Sequence, residues 1–240
     1  MSLGRIRLAA VSSTLDVAAR ESRPGDGERR PGRFRARHYI DTHKALVIPV
    51  TLVLIAAYDA WSTSLIWVYL GLHGTYTLCW LMKSRLFPDR TWEQYVSAQR
   101  GLYTFFGVSL YLVVPWLIVS GNSGTPEPWF VGLCVALTVF GVFWHFAADM
   151  QKTTSLQLRP GVLITDGLWG IVRNPNYFGE LLIYLGFTLL AVHWAPPLIL
   201  LYVTVTEWVP NMRRKDRSLS RYAEFAEYER RTKLFIPYVW

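Results

Sequence analysis

Stretches of about 20 residues without a single Asp, Glu, Lys or Arg alternate along this chain with short polar segments, and that alternation is its dominant pattern. Ser62 to Met82, Leu102 to Val119 and Trp129 to Ala148 are such stretches, each with Trp or Tyr near an end. Roughly 20 apolar residues in a helix cross about 30 Å of hydrocarbon, and amphipathic rings favour the interface, so each predicts a membrane span. Ala45 to Tyr58 is shorter and spans with Thr42 to Lys44 at one end and Trp61 at the other. Phe178 to Trp208 is too long for one span and is interrupted by His193-Trp194-Ala195-Pro196-Pro197. Paired prolines cannot continue a helix, so this stretch predicts two spans meeting in a tight turn.

Charge settles the count. The 240 residues carry 25 Lys and Arg against 17 Asp and Glu, a net charge of +8, with 52% hydrophobic and 15% aromatic residues. All 25 basic residues fall in four blocks: ten in 1–44, four in 83–100, three in 152–173 and eight in 213–233. Six spans put every block on one side and leave the loops near 59–61, 120–128 and 193–197 without any, as the positive-inside rule requires. The expectation is an all-α, polytopic integral membrane bundle of about six transmembrane helices with a cytoplasmic carboxy-terminal cap. Both termini are cytoplasmic and the membrane is a bacterial inner membrane. The basic charge then marks orientation, not a nucleic-acid partner.

The chain divides into a mobile basic tail, residues 1–40, and a single transmembrane domain, 41–240. The tail is Arg-rich with Pro24-Gly25-Asp26-Gly27 and Pro31-Gly32, and it lacks the long apolar core of a secretory signal. Cys79 and Cys134 fall inside spans as small apolar residues and define neither a disulfide framework nor a metal site.

Polar residues concentrate between His145 and Glu180. His145 and Asp149 share a helix face at the cytoplasmic end of the fourth span. Asn174-Pro175 predicts a helix start, with Asn as the cap and Pro in the first turn. The amino end of that fifth span, with Arg173 just before it, suits a phosphate or carboxylate. Asn176, Glu180 and Tyr184, four apart, form one stripe whose donors and acceptors suit an amide or ribose hydroxyls. A plainer reading of the same residues is that Asn174 and Pro175 only start a helix and Glu180 only pairs with Arg173 or Lys152.

Asp149, Gln151-Lys152, Leu158-Arg159-Pro160-Gly161, Gly167-Leu168-Trp169 and the run Arg173-Asn174-Pro175-Asn176-Tyr177-Phe178-Gly179-Glu180 together resemble the carboxy-terminal half of the steroid 5-alpha-reductase superfamily, in particular its bacterial membrane branch of unknown function (DUF1295-like). The tail Tyr222 to Pro237 is similar to the family's ending, so the likeness covers roughly residues 145–240, the expected cofactor-binding half. It implies an NADPH-dependent oxidoreductase that delivers hydride to a polarised C=C, steroid-like or another enone, of a lipophilic substrate met in membrane lipid. Carried over, the cofactor would be held by Asp149, Arg159, Asn176, Tyr177, Glu180, Tyr228, Arg231 and Lys233, with Arg173 as a further phosphate candidate.

The catalytic proton donor stays unassigned among Tyr58, Asp59, His73, Tyr76, Tyr103 and Tyr111, His73 being the most suggestive beside Gly71 and Gly74. No metal ligand set is expected. Arg173 to Gly179 is also similar to the Arg-His-Pro-x-Tyr-x-Gly run of isoprenylcysteine and phospholipid methyltransferases, which use S-adenosylmethionine. This chain has Asn174 in place of their His, adds Asn176 and Glu180, and carries Arg214-Lys215-Asp216-Arg217 where those enzymes have paired glutamates. A non-catalytic lipid-binding protein on the same fold is the third alternative.

Overall fold

The computed structural model describes residues 34–240; most of the expected basic tail, residues 1–33, lies outside them. Residues 34–40 are already structured. Strand β1 (Phe34–Arg35) pairs antiparallel with β2 (Tyr95–Val96), and helix α1 (Ala36–Ala57) begins at once. Helix α2 (Ser64–Leu86) follows, then α3 (Ala98–Ser109), which continues through a single 3-10 turn into α4 (Val113–Val119). The 31-residue α5 (Pro128–Leu158), the short α6 (Gly167–Ile171), α7 (Pro175–Leu189) and α8 (Ala195–Val203) come next. A π turn (Thr204–Trp208) joins α8 to α9 (Val209–Leu219), and α10 (Phe225–Arg231) lies in the tail.

The protein is a polytopic membrane helical bundle. Four helical stretches are long and apolar enough to cross a membrane: α1, α2, Ala98–Val119 and α5. The fifth and sixth expected spans are helical but shorter in apolar length, α7 having 15 residues and the run from α8 turning polar in α9. Prolines set several boundaries. Pro128, Pro175 and Pro196 occupy the first helical turns, where the missing N–H costs nothing. Pro210 has no N–H to offer the carbonyl of Thr206, and just upstream the helix widens into the π turn.

The basic segments meet at one end of the bundle. Arg35 and Arg37 pair with Glu93, Lys152 pairs with Asp89, and Arg173 pairs with Asp216 of α9. The loops without basic residues meet at the other end, where Trp116 Nε1 donates to the Tyr58 hydroxyl and Gly124 N–H to the Ala191 carbonyl. Between the ends, large apolar side chains such as Val53, Leu78, Phe140, Phe143 and Leu201 point outward, as a lipid environment allows.

Helices α5 and α7 form the most extensive contact of the bundle. In lipid, apolar side chains gain little from leaving their surroundings, and small residues let backbones approach instead. A Cβ on Gly141 would stand 2.7 Å from the Gly179 carbonyl oxygen, one on Gly186 would stand 2.6 Å from the Cys134 carbonyl oxygen, and one on Gly179 would strike the backbone of His145. Gly132, on the same helix, has open space around it. Gly141→Leu is therefore expected to destabilise the bundle by at least about 1–3 kcal/mol. Gly132→Leu is expected to leave the melting temperature in detergent unchanged. Equal melting temperatures for the two variants would refute this account of the seam.

Candidate functional site

At the basic end, α1, α2, α5 and α7 converge on a group of buried polar side chains. One stripe of α2, Tyr69, His73, Tyr76, Trp80 and Lys83, steps three and four residues at a time along the interior, and all five are buried. The Asn176, Glu180 and Tyr184 stripe of α7 faces it. The Tyr76 hydroxyl donates to Glu180 Oε1 at 3.1 Å, and Lys44 Nζ of α1 donates to the Tyr184 hydroxyl at 3.2 Å. Glu180 therefore pairs with neither Arg173 nor Lys152; its bonded partner is a phenol.

On α5, His145 and Asp149 share a face as expected, with Nε2 3.6 Å from Oδ2. The close helix seam lets His145 Nδ1 bond to the backbone oxygen of Asn176 at 2.9 Å; a carbonyl only accepts, so Nδ1 carries the proton. Lys83 donates to Asp149 Oδ2 in a buried ion pair. Lys152 bonds Asp89, in the loop after α2. Burial by itself would push the Asp89 carboxyl up, but the Lys152 ammonium and the Thr91 N–H at 2.9 Å outweigh it and hold Asp89 at about 2. Beside these pairs lies a small cleft of about 10 Å³ whose walls include Arg37, Asp41, Trp80, Lys83, Asp89 and Trp92.

Three acceptors in this cluster are buried without a hydrogen-bond partner: Asp149 Oδ1, Asn176 Oδ1 and, since Nδ1 carries the proton, His145 Nε2; the Lys152 ammonium lies 4.0 Å from Asp149 Oδ1. Leaving a buried polar atom unmatched costs about 1–3 kcal/mol, so an explanation is needed. The groups that match such acceptors are N–H and O–H donors.

The other residues expected at the cofactor lie differently. Arg159 is exposed and pairs with exposed Asp166 at 3.0 Å. Arg173 is buried and fully engaged: Nε donates to Asp216 at 2.9 Å, and one terminal nitrogen donates to the backbone oxygens of Glu229 at 3.1 Å and Thr232 at 2.6 Å. Asn174 stands at the start of α7, but its side chain does not cap the helix. It donates to the Leu234 carbonyl at 2.8 Å and accepts from Lys215 Nζ at 2.8 Å, because the carboxy-terminal tail competes successfully for it. Tyr228 is buried and donates to the Trp169 carbonyl at 2.7 Å. Tyr177 is half-buried against Trp208. Arg231 and Lys233 are exposed, and Lys233 shares with Arg173 an open groove of about 330 Å³ that also includes Glu229 and Trp240. Arg173, Asn174 and Tyr228 thus hold the tail in place, while Asp149, Asn176 and Glu180 belong to the interior cluster. Among the described residues, no group of three His, Cys, Asp or Glu side chains is arranged for a metal.

Sequence reading missed Lys44, Lys83, Lys215 and Asp89. The signal was present: Ile40, Lys44, Val47, Thr51 and Ile55 form the buried stripe of α1, and Lys83 continues the Tyr69 to Trp80 stripe of α2. Lys215 sits with Nζ 2.7 Å from the Arg173 carbonyl oxygen and 4.3 Å above the Trp169 ring.

The family model for a protein of unknown function, DUF1295, matches residues 52–232, and the chain belongs to that family. Relatives agree with the likeness to steroid reductases. The chain is 27% identical over 146 residues to steroid 5-alpha-reductase DET2 of Arabidopsis thaliana, covering 58% of this chain and 54% of that protein. It is 34% identical over 139 residues to delta(14)-sterol reductase TM7SF2 of Mus musculus, covering 48% and 33%. It is also 29% identical over 131 residues to the cobalt-zinc-cadmium resistance protein CzcN of Cupriavidus metallidurans, covering 52% and 61%. The chain thus spans about half the length of the plant reductase and a third of the mouse one.

Two predictions concern the tail. Arg173→Met leaves Asp216 and two backbone oxygens without their donor, a loss of about 3–5 kcal/mol for a buried pair. Trypsin is then expected to cut within residues 213–233 far faster than in the wild type, and an unchanged rate would refute the anchoring role. Burial, reinforced by the Lys152 ammonium, pushes Lys215 down to about 7. An unfolded lysine titrates near 10.4, so between pH 7 and pH 10 the unfolded chain binds more protons, and folding strengthens as pH rises. Relative to Lys215→Met, the wild type is expected to gain on the order of 10 °C in melting temperature across that window. A gap that does not move with pH would contradict this.

Proposed function

We propose that this protein is a membrane-embedded reductase that uses NADPH to reduce a polarised C=C of a lipophilic substrate. Asp149 Oδ1 and Asn176 Oδ1 carry the reading: two buried acceptors without a hydrogen-bond partner, in a chain with steroid and sterol reductase relatives. Asp149, Asn176 and Glu180 supply acceptors for the donor groups of a reduced dinucleotide, and the exposed side chains of Arg231 and Lys233, with Arg159 once it leaves Asp166, would meet its phosphates. Bound there, NADPH supplies the hydride.

The chain's own residues supply the rest. Tyr76 is the proton donor, because among the six side chains weighed from sequence it is the one bonded to Glu180. His73 bonds Tyr69 at 2.7 Å and stacks on Phe187, Tyr103 bonds exposed Glu207, and Tyr58 accepts from Trp116. Glu180 orients the Tyr76 hydroxyl, and the Lys83–Asp149 pair fixes the carboxylate beside Asn176. The basic end faces the cytoplasm of a bacterial inner membrane, where NADPH is available, and lipid substrate enters from the bilayer. A methyltransferase reading is disfavoured by Lys44: the cage formed by Tyr76, Trp80 and Tyr184 already holds an ammonium, and a sulfonium cofactor beside it would meet a like charge.

Fluorescence titration of the purified protein in detergent tests this. NADPH is expected to bind and S-adenosylmethionine not to, and Asn176→Ala and Glu180→Ala are each expected to weaken NADPH binding about tenfold, the loss of one buried hydrogen bond, charge-assisted in the case of Glu180. Unchanged affinity in both variants would sink the site, and binding of S-adenosylmethionine alone would sink the reaction.

A further inference from the structure

Where α3 lies beside the π turn, the lipid-facing surface carries a carboxylate, Glu207. Its surroundings are apolar: Leu102, Tyr103, Phe106 and Leu110 of α3 are each at least 46% exposed, and Leu198 and Leu201 of α8 also point outward. The hydroxyls on this surface bond back to their own helices. Thr104 Oγ1 donates to the Arg100 carbonyl at 3.0 Å, and Thr206 Oγ1 to the Tyr202 carbonyl at 2.8 Å. Glu207 cannot do the same, because a carboxylate only accepts. Its hydrogen bond comes from another helix, the Tyr103 hydroxyl donating to Oε1 at 2.7 Å.

The π turn places the carboxylate there. Trp208, the next residue, is buried with its ring 5.8 Å from those of Tyr177 and Tyr184, while half-buried Glu207 reaches outward to Tyr103. Turns of this kind recur at functional sites. Asp89, Asp149 and Asp216 each have a Lys or Arg partner, but among the described residues none pairs with Glu207. Oε2 therefore faces lipid without a donor, and an ionisable group so placed is costly to keep unless it serves a function.

Depth narrows the ligand. Arg100 and Arg213 are exposed and mark the charged layer at the basic end. Glu207 precedes Arg213 by six residues and Tyr103 follows Arg100 by three. At about 1.5 Å per residue they lie roughly 9 Å and 4–5 Å inward of those arginines, at the boundary between headgroups and acyl chains. Phospholipid phosphates stay at the level of the arginines, and the ester groups found deeper only accept hydrogen bonds. The lipid that matches a free carboxylate oxygen at this depth is one whose polar end is a hydroxyl.

We propose that Glu207 and Tyr103 form a site for the hydroxyl of a lipid alcohol on the outer surface of the bundle. Oε2 accepts from the ligand, Tyr103 occupies Oε1, and the alkyl chain lies along Phe106 and Leu110. The site is separate from the interior cluster and does not rest on the reductase reading.

Hexadecanol carrying a diazirine in its chain tests this on the full-length protein in phosphatidylcholine vesicles, a host lipid with no O–H or N–H donor. After illumination, label is expected on α3 and on residues 198–208. Unlabelled hexadecanol is expected to displace the probe, and hexadecyl methyl ether, which has the chain but no donor, is not. Glu207→Ala is expected to lower labelling about tenfold at subsaturating probe, the loss of one hydrogen bond to a charged group. Tyr103→Phe is expected to label at least as strongly as the wild type, since Oε1 then becomes a second open acceptor. Weaker labelling of Tyr103→Phe would mean that the pair only joins two helices, and would overturn the proposal. So would label falling elsewhere, displacement by the ether as effective as by the alcohol, or stronger displacement by hexadecylamine, which would assign the carboxylate to a cation. Labelling that drops as the protein-to-lipid ratio rises would give the face to a second copy of the chain instead. Should Glu207→Ala fail to fold, Glu207→Gln decides: its amide oxygen accepts a weaker bond, and labelling equal to the wild type overturns the site.

Discussion

The close approach of α5 and α7 is the constraint from which the rest follows. Gly141, Gly179 and Gly186 bring two helix backbones to a separation that no side chain would permit. His145 Nδ1 thereby reaches the backbone oxygen of Asn176. That contact sets the register between the helices, with Asp149 one turn from His145 and Asn176 one turn from Glu180. A looser seam closed by leucines would separate the carboxylate from the amide.

Around the seam, the fold handles buried charge in two ways. Lys83 with Asp149, Lys152 with Asp89 and Arg173 with Asp216 are paired, so each ion loses water but gains a counter-ion. Lys44 is the exception and is stabilised by ring faces, an interaction worth on the order of 2 kcal/mol when desolvated. Paired charges bind the loops and tail to the bundle; the charge without an anion stands among the aromatic side chains of the interior.

Much of the architecture was legible in the sequence because it follows from hydropathy and from the spacing of basic residues. The break at His193 to Pro197, the shared face of His145 and Asp149 and the stripe Asn176, Glu180, Tyr184 all appear as expected. What was not legible is where long cationic side chains end. Lys44 and Arg173 look like members of basic blocks in one dimension, yet one turns into the aromatic interior and the other is drawn under the tail by three oxygens more than 40 residues away in sequence. Asn174 has the spacing of a helix cap, but a backbone oxygen of the tail and Lys215 claim it. Competition between local and distant partners is decided by tertiary packing, which no window of sequence contains. The α1 and α2 stripes could have been found by extending periodicity through charged residues instead of stopping at them.

The pairing at the basic end has a consequence for membrane insertion. In the nascent chain every Lys and Arg of these segments is free to resist translocation, and together they specify orientation. In the folded protein Arg35, Arg37, Lys83, Lys152 and Arg173 are neutralised by internal carboxylates, and Lys44 is withdrawn from the surface altogether. Six of the 25 basic residues thus carry less exposed charge in the folded protein than in the unfolded chain.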